Sequence, residues 1–121
     1  MAKILVIDDE RAIRNTLKEI LEFEGYHVEV AENGRVGLER ALEGAYDLIF
    51  TDIKMPEMDG LEFLHSYRKG IIQHGEEAPI VVITGHGSVD SAVDALKGGA
   101  FDFIQKPLDL NRLLVTTKHA L

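Results

Sequence analysis

Four charged side chains stand at the ends of apolar runs, and their types together suit a cation and a phosphoryl group. Asp8 and Asp9 end the first run, Asp52 ends a later one, and Lys106 follows the last. If these runs are parallel strands of one sheet, the four side chains meet at its carboxyl edge. That edge is where open α/β sheets bind ligands.

The charges of this group indicate a divalent cation. Two unit charges about 4 Å apart interact by roughly 4 kcal/mol at an effective dielectric near 20, so three gathered acids need compensation. Lys106 supplies one positive charge, which leaves −3 + 1 = −2, and oxygen-only ligation favours Mg²⁺ over zinc. With the metal bound, a carboxylate can attack phosphorus. The central strand favours Asp52 as this nucleophile, and Thr84 can donate a hydroxyl hydrogen bond to a phosphoryl oxygen.

Simpler explanations exist for each of these residues. Acidic residues favour helix N-termini, so Asp8 and Asp9 could simply begin the first helix. Thr84 could be an ordinary threonine at a helix entry, and Lys106 a solvated loop lysine. Asp52 weakens these explanations, because a third acid at the same edge adds repulsion without structural gain.

Apolar runs alternate with amphipathic segments along the whole chain. Strands are predicted at residues 3–8, around Val28 and Val30, and at 47–51, 80–83 and 101–104. Helices are predicted at residues 10–24, from an Asn33 cap to about Leu42, from Leu61 to Lys69, from a Ser88 cap through Leu96, and at 109–121.

This alternation predicts one α/β domain over residues 1–121. We expect a flavodoxin-like, doubly wound sheet of five parallel strands in the order 2-1-3-4-5, with helices on both faces. The chain stops inside its last predicted helix, so we expect the N-terminal fragment of a longer protein.

Composition excludes several classes of function. The 13 basic and 21 acidic residues give a formal charge of −8, which disfavours direct contact with nucleic acid or anionic membranes. The chain has no cysteine, no apolar stretch near the ~20 residues of a membrane span, and five scattered histidines without zinc-ligand spacing. We expect a cytoplasmic domain.

Short motifs at the predicted strand ends resemble the receiver domain of two-component response regulators. Each motif is weak alone, but five in order are specific, and the resemblance covers essentially the whole chain. The matching pieces are Asp8-Asp9, Asp52 with Met55-Pro56, Asp59-Gly60, Thr84-Gly85 and Lys106-Pro107.

The resemblance implies a phosphoacceptor and a magnesium site. Asp52 would accept the phosphoryl group. Asp9, Asp52 and the backbone carbonyl of Lys54 would hold Mg²⁺, and Asp8 would act mostly through water. The domain would catalyse its own phosphorylation and dephosphorylation without being a turnover enzyme.

The resemblance also implies a conformational switch. Lys106 would clamp the phosphoryl group, with a cis peptide bond before Pro107. Thr84 would swing inward and vacate space for Phe103, the aromatic switch residue. His86 would stand where receivers tune the access of hydrolytic water.

A closer likeness concerns the partners. The segments Thr84-Gly85-His86-Gly87-Ser88 and Gly99-Ala100-Phe101-Asp102-Phe103 resemble receivers of the nitrogen-regulatory type, which control sigma-54-dependent transcriptional activators. This implies a sensor histidine kinase as phosphodonor, output ATPase and DNA-binding domains, and a possible homodimer on phosphorylation. The alternative is a stand-alone receiver or a phosphorelay intermediate without a DNA-binding output.

Three other functions compete with this interpretation. A phosphatase of the haloacid dehalogenase kind needs a general acid two residues after its nucleophile, where this chain has Lys54. A flavin- or nucleotide-binding module would not need the acidic cluster. A degenerate receiver that only docks partners would not need Thr84 and Lys106 beside intact acids.

Overall fold

Strands and helices alternate strictly in the computed structural model, which describes residues 1–71, 77–85 and 89–121. The strands are β1 (Lys3–Ile7), β2 (His27–Ala31), β3 (Leu48–Asp52), β4 (Ile80–Thr84) and β5 (Asp102–Gln105). The helices are α1 (Arg11–Phe23), α2 (Gly34–Glu43), α3 (Gly60–Ile71), α4 (Val89–Lys97) and α5 (Leu110–Ala120).

All five strands pair in parallel in the order β2-β1-β3-β4-β5, as the sequence predicted. Parallel neighbours require crossover connections, and a helix supplies each one. β3 therefore lies at the centre and β2 at an edge. The alternating Val28 and Val30 of β2 fit an edge position, whereas β3 and β4 are buried along their whole length.

The helices cover both faces of the sheet and enclose two cores. On one face, α2, α3 and α4 pack over side chains such as Ile7, Ile49 and Val82. On the other face, α1 and α5 pack over side chains such as Phe50 and Ile83. These alternate strand residues point to opposite faces, so the apolar runs serve both cores.

Helices α2 and α5 begin at side-chain caps. Asn33 accepts a hydrogen bond from the Val36 amide at 2.9 Å, as the sequence predicted. Asp109 accepts one from the Arg112 amide at 3.1 Å. Each cap satisfies an amide that the helix leaves without an internal partner.

Differences from the predicted bounds are small. β1 ends at Ile7 rather than Asp8, α3 begins at Gly60, and β5 is shifted by one residue. The predicted cap Ser88 lies outside the described residues. Within the described ranges, no helix is long and apolar enough to cross a membrane.

Candidate functional site

The strand register brings the predicted site residues to one edge. Ile7 pairs with Thr51, so the next residues, Asp8 and Asp52, lie side by side. Asp52 pairs with Ile83, which places Thr84 one residue beyond it on the neighbouring strand. Asp8, Asp52 and Thr84 therefore lie next to one another at the carboxyl edge.

Asp8 is a buried carboxyl whose side chain makes one hydrogen bond. Its side chain has no exposed surface. Oδ1 accepts a hydrogen bond from the Glu10 amide at 2.9 Å, whereas Oδ2 is buried without a hydrogen-bond partner. Burial raises the pKa of Asp8 to about 6, and the Asp52 and Asp9 charges add to this. The Glu10 amide and the Lys106 charge act in the opposite direction.

Asp52 ends the central strand and is 5% exposed. Oδ2 accepts a hydrogen bond from Lys106 Nζ at 3.1 Å. The following loop folds tightly against this residue, because the Gly60 amide donates to the Ile53 carbonyl at 2.7 Å. A Cβ at Gly60 would collide with the backbone oxygen of Asp52, which explains a glycine at this position.

Lys106 lies among three carboxylates and is 20% exposed. Its Nζ is 3.0 Å from Glu10 Oε1, 3.1 Å from Asp52 Oδ2 and 3.6 Å from Asp8 Oδ2. Burial lowers its pKa, but the hydrogen bonds with Glu10 and Asp52 and the acidic charges outweigh this and raise the pKa overall. The ammonium therefore stays charged at neutral pH.

The carboxylates gathered here differ from the predicted set. Ligand oxygens of Asp8, Glu10 and Asp52 lie within 4.8 Å of one another. Asp9 and Lys54 are both exposed, and Asp9 is not part of this cluster. Sequence reasoning missed Glu10, although it directly follows the paired aspartates and could have been found as the third acid of that run.

The predicted switch residues occupy neighbouring strands. Thr84 is 1% exposed, and its hydroxyl has no hydrogen-bond partner among residues 1–71, 77–85 and 89–121. Phe103 is half-buried against the core shared with α2, α3 and α4. The peptide bond between Lys106 and Pro107 is cis, and Pro107 is exposed. His86 lies outside the described residues.

This arrangement can bind a hard cation and an oxyanion. The clustered acids offer only oxygen ligands, which suit Mg²⁺. In the part of the chain that the structure describes, Asp8 Oδ2 is a buried acceptor without a hydrogen-bond partner, and Thr84 Oγ1 is a buried donor without one. Buried polar groups are ordinarily paired, so two unpaired groups beside Lys106 and Asp52 indicate that a ligand completes the site.

Comparison with known sequences identifies the family. The family described as response regulator receiver domain matches residues 4–118. The transcriptional regulatory protein ZraR of Klebsiella oxytoca is 42% identical over 118 residues, which is 98% of this chain and 26% of ZraR. The response regulator MprA of Mycolicibacterium vanbaalenii is 40% identical over 112 residues, which is 93% of this chain and 47% of MprA. The chain thus spans about a quarter to a half of these relatives.

Solved structures agree with this assignment. A receiver domain protein from Clostridium thermocellum superposes with a TM-score of 0.90 at 37% identity, covering 99% of this chain and 94% of that one. NtrX from Brucella abortus superposes with a TM-score of 0.89 at 40% identity, covering 100% of this chain and 27% of NtrX. ZraR and NtrX are sigma-54-activator regulators, so the likeness to the nitrogen-regulatory type is confirmed. The chain belongs to the response regulator receiver domain family, a family of signalling domains.

Proposed function

We propose that this domain is a phosphorylation-dependent switch in which Asp52 accepts a phosphoryl group from a sensor histidine kinase. The observation that carries this proposal is the position of the Asp52 carboxylate. It ends the central strand, 3.1 Å from the Lys106 ammonium and beside the buried Asp8. A carboxylate at the mouth of a parallel sheet with a fixed cation next to it suits attack on phosphorus.

The transfer step needs little covalent chemistry from the protein. An Asp52 carboxylate oxygen forms a bond to phosphorus while the bond from phosphorus to the kinase histidine nitrogen breaks. That imidazole nitrogen keeps the electron pair of the broken bond. The product is an acyl phosphate on Asp52, and water later hydrolyses it. Positioning and charge neutralisation supply most of the rate in such transfers.

The residues present fit a magnesium ion. Asp8, Asp9, Asp52 and the Lys54 carbonyl would hold it. The buried Asp8 Oδ2 beside the Asp52 carboxylate supports the part of this set that involves Asp8 and Asp52, whereas Asp9 and Lys54, both exposed, are proposed from the family resemblance alone. When bound, the ion would neutralise charge on the phosphoryl oxygens. Asp8 must be ionised to bind a cation, so its raised pKa makes affinity increase with pH through about 6.

Lys106 and Thr84 would then bind the phosphoryl oxygens. Lys106 stays charged and lies at the acceptor oxygen, so it pairs with a phosphoryl oxygen. Phosphorylation adds roughly one negative charge and three strong acceptors, which the unpaired Thr84 hydroxyl can use. Movement of Thr84 toward Asp52 would let the half-buried Phe103 repack. Pro107 and His86 are proposed to take part in this switch as flanking residues.

The output is proposed to be transcriptional. The relatives ZraR and NtrX are much longer than this chain, which supports a receiver at the N-terminus of a regulator with ATPase and DNA-binding domains. Homodimerisation on phosphorylation would transmit the signal, and the whole protein would act in the cytoplasm. The second candidate is a stand-alone receiver, which the near-equal length of the Clostridium thermocellum structure favours.

Intact-mass measurement after incubation with acetyl phosphate tests the proposal. The wild-type domain should gain one phosphoryl group with Mg²⁺ and none with a chelator. The Asp52→Asn variant should gain none, whereas the control Asp47→Asn, an exposed acid preceding the same strand, should behave as wild type. Phosphorylation of the Asp52→Asn variant to the wild-type extent would overturn the assignment. Steady turnover of a phosphomonoester would instead indicate a phosphatase.

A further inference from the structure

Glu10 occupies a helix cap position without capping the helix. It is the N-cap of α1, but its side chain accepts no hydrogen bond from the first turn. Ser, Thr, Asp and Asn are preferred there because their short side chains reach those amides. A glutamate at this position therefore has its side chain available for another contact.

That other contact is with Lys106. Glu10 Oε1 accepts a hydrogen bond from Lys106 Nζ at 3.0 Å, across 96 residues of sequence. The Glu10 backbone is held on both sides, because its amide donates to Asp8 Oδ1 at 2.9 Å and its carbonyl accepts from the Arg14 amide at 3.1 Å. The side chain is 59% exposed, so it reaches the lysine from the solvent side of the site.

The acceptors around Lys106 are not equally able to move. An ammonium has three hydrogens to donate, and three carboxylates surround this one. Asp8 and Asp52 are buried on short side chains at strand ends. Glu10 has the longer, exposed side chain, so it is the acceptor that can leave when a phosphoryl oxygen arrives.

We propose that Glu10 is a positioning residue that competes with the phosphoryl group for the Lys106 ammonium. This inference rests on the function proposed for Asp52. In the unphosphorylated domain Glu10 holds Lys106 at the mouth of the site. A phosphoryl oxygen must displace Glu10 to bind the Lys106 ammonium. The carboxylate of Glu10 therefore weakens binding of the phosphoryl group.

Beryllofluoride, a mimic of the phosphoryl group, tests this competition in the presence of saturating Mg²⁺. The Glu10→Gln variant should reach half-saturation at an about two- to fivefold lower beryllofluoride concentration, the scale of a partly exposed ion pair. Glu22→Gln is the matched control. It removes the same charge from an exposed position near the other end of α1, roughly 18 Å along the helix axis.

A second variant and a second measurement isolate the contact. Glu10→Asp keeps the charge but shortens the reach to Lys106, so it should shift half-saturation in the same direction as Glu10→Gln. Mg²⁺ affinity without beryllofluoride, measured by calorimetry, should change less than about threefold in Glu10→Gln, because Glu10, although it lies in the acidic cluster, is proposed to bind Lys106 and not the metal.

Several results would overturn the inference while leaving the function of Asp52 intact. Equal half-saturation for Glu10→Gln and Glu22→Gln would show no competition. If Glu10→Asp had the same half-saturation as the wild type, the effect of Glu10→Gln would come from long-range charge and not from the contact with Lys106. A tenfold loss of Mg²⁺ affinity in Glu10→Gln would make Glu10 a metal ligand instead. Failure of wild-type Asp52 to take a phosphoryl group from acetyl phosphate would instead refute the proposed function.

Discussion

A lysine lies among acidic side chains at both the amino edge and the carboxyl edge of the sheet, where the parallel strands begin and end. The two clusters differ in burial and in hydrogen bonding. At the amino edge, Lys3 Nζ lies 3.5 Å from Glu29 and 4.7 Å from the centre of the Tyr46 ring. The Tyr46 hydroxyl donates to Glu29 at 2.7 Å, and Asp47 accepts from the Lys3 amide at 2.8 Å. The Lys3 and Glu29 side chains are about a third exposed, so water satisfies their remaining hydrogen-bonding capacity.

At the carboxyl edge the same residue types are buried and incompletely paired. Asp8 Oδ2 and Thr84 Oγ1 have no hydrogen-bond partner among the described residues, and Lys106 is shared among three carboxylates. A cluster of charges therefore does not by itself identify a functional site. Burial of groups that the protein leaves unpaired distinguishes the functional edge from the merely structural one.

The largest expected difference between the edges concerns their lysines. Lys106→Met should lower the free energy of unfolding by about 2–4 kcal/mol at pH 7.5, because it leaves buried carboxylates without their cation. Lys3→Met should cost less than about 1 kcal/mol, because its partners are solvated. Urea denaturation of the magnesium-free proteins measures both. Equal costs would mean that burial does not separate the two clusters.

The next difference concerns pH. The pKa of Asp8 is raised from 3.8 to about 6 by burial, so the folded state binds more protons than the unfolded state between these values, and stability falls as pH rises through that window. Asp8→Asn should remove this loss and stabilise the magnesium-free domain by about 1–3 kcal/mol at pH 7.5. Urea denaturation at several pH values provides the measurement.

The contribution of Glu29 to stability should change with pH in the opposite direction. Its hydrogen bond from Tyr46 is the main cause that lowers its pKa below 4.5, so its contribution to stability is present at neutral pH and disappears as the medium becomes acidic. Glu29→Gln should therefore destabilise slightly at pH 7.5, where Asp8→Asn stabilises. If both variants changed stability in the same direction, the contrast between the edges would be wrong.

The smallest difference concerns two buried threonines. Thr117 donates its hydroxyl to the Leu113 carbonyl at 2.7 Å, whereas the Thr84 hydroxyl has no hydrogen-bond partner within the described ranges. Thr117→Val should cost about 1 kcal/mol of stability, while Thr84→Val should be neutral or stabilising in the unphosphorylated domain. Thermal unfolding of the two variants gives the comparison. A larger loss for Thr84→Val would reveal a hydrogen bond that the structure lacks.

Most of the fold could be predicted because apolar runs mark the strands and helical periodicity marks the helices. The five strands and their parallel pairing follow from strict alternation. Their order, with Asp52 on the central strand, follows only when the functional strand ends are also required to meet. The strand ends therefore located Asp8, Asp52, Thr84 and Lys106 at one edge before any contact was known.

The orientation of individual side chains after β1 could not be predicted in the same way. The Asp8 amide still donates to the Ala31 carbonyl, so the backbone continues along the sheet and keeps the Asp8 side chain inside. One residue later the chain turns, and Asp9 becomes exposed. Glu10 reaches the site only through a long side chain, and sequence spacing does not specify its rotamer.

Backbone amide chemical shifts during titration with Mg²⁺ and then beryllofluoride show directly whether the carboxyl edge binds the metal and the phosphoryl group. We predict saturable changes at Asp8, Asp52 and Lys106 with Mg²⁺, followed by further changes at Thr84 with beryllofluoride, while Glu29 at the amino edge stays constant. Changes centred on Glu29, or none at Asp8 and Asp52, would contradict the assignment of the carboxyl edge as the phosphoryl-accepting site.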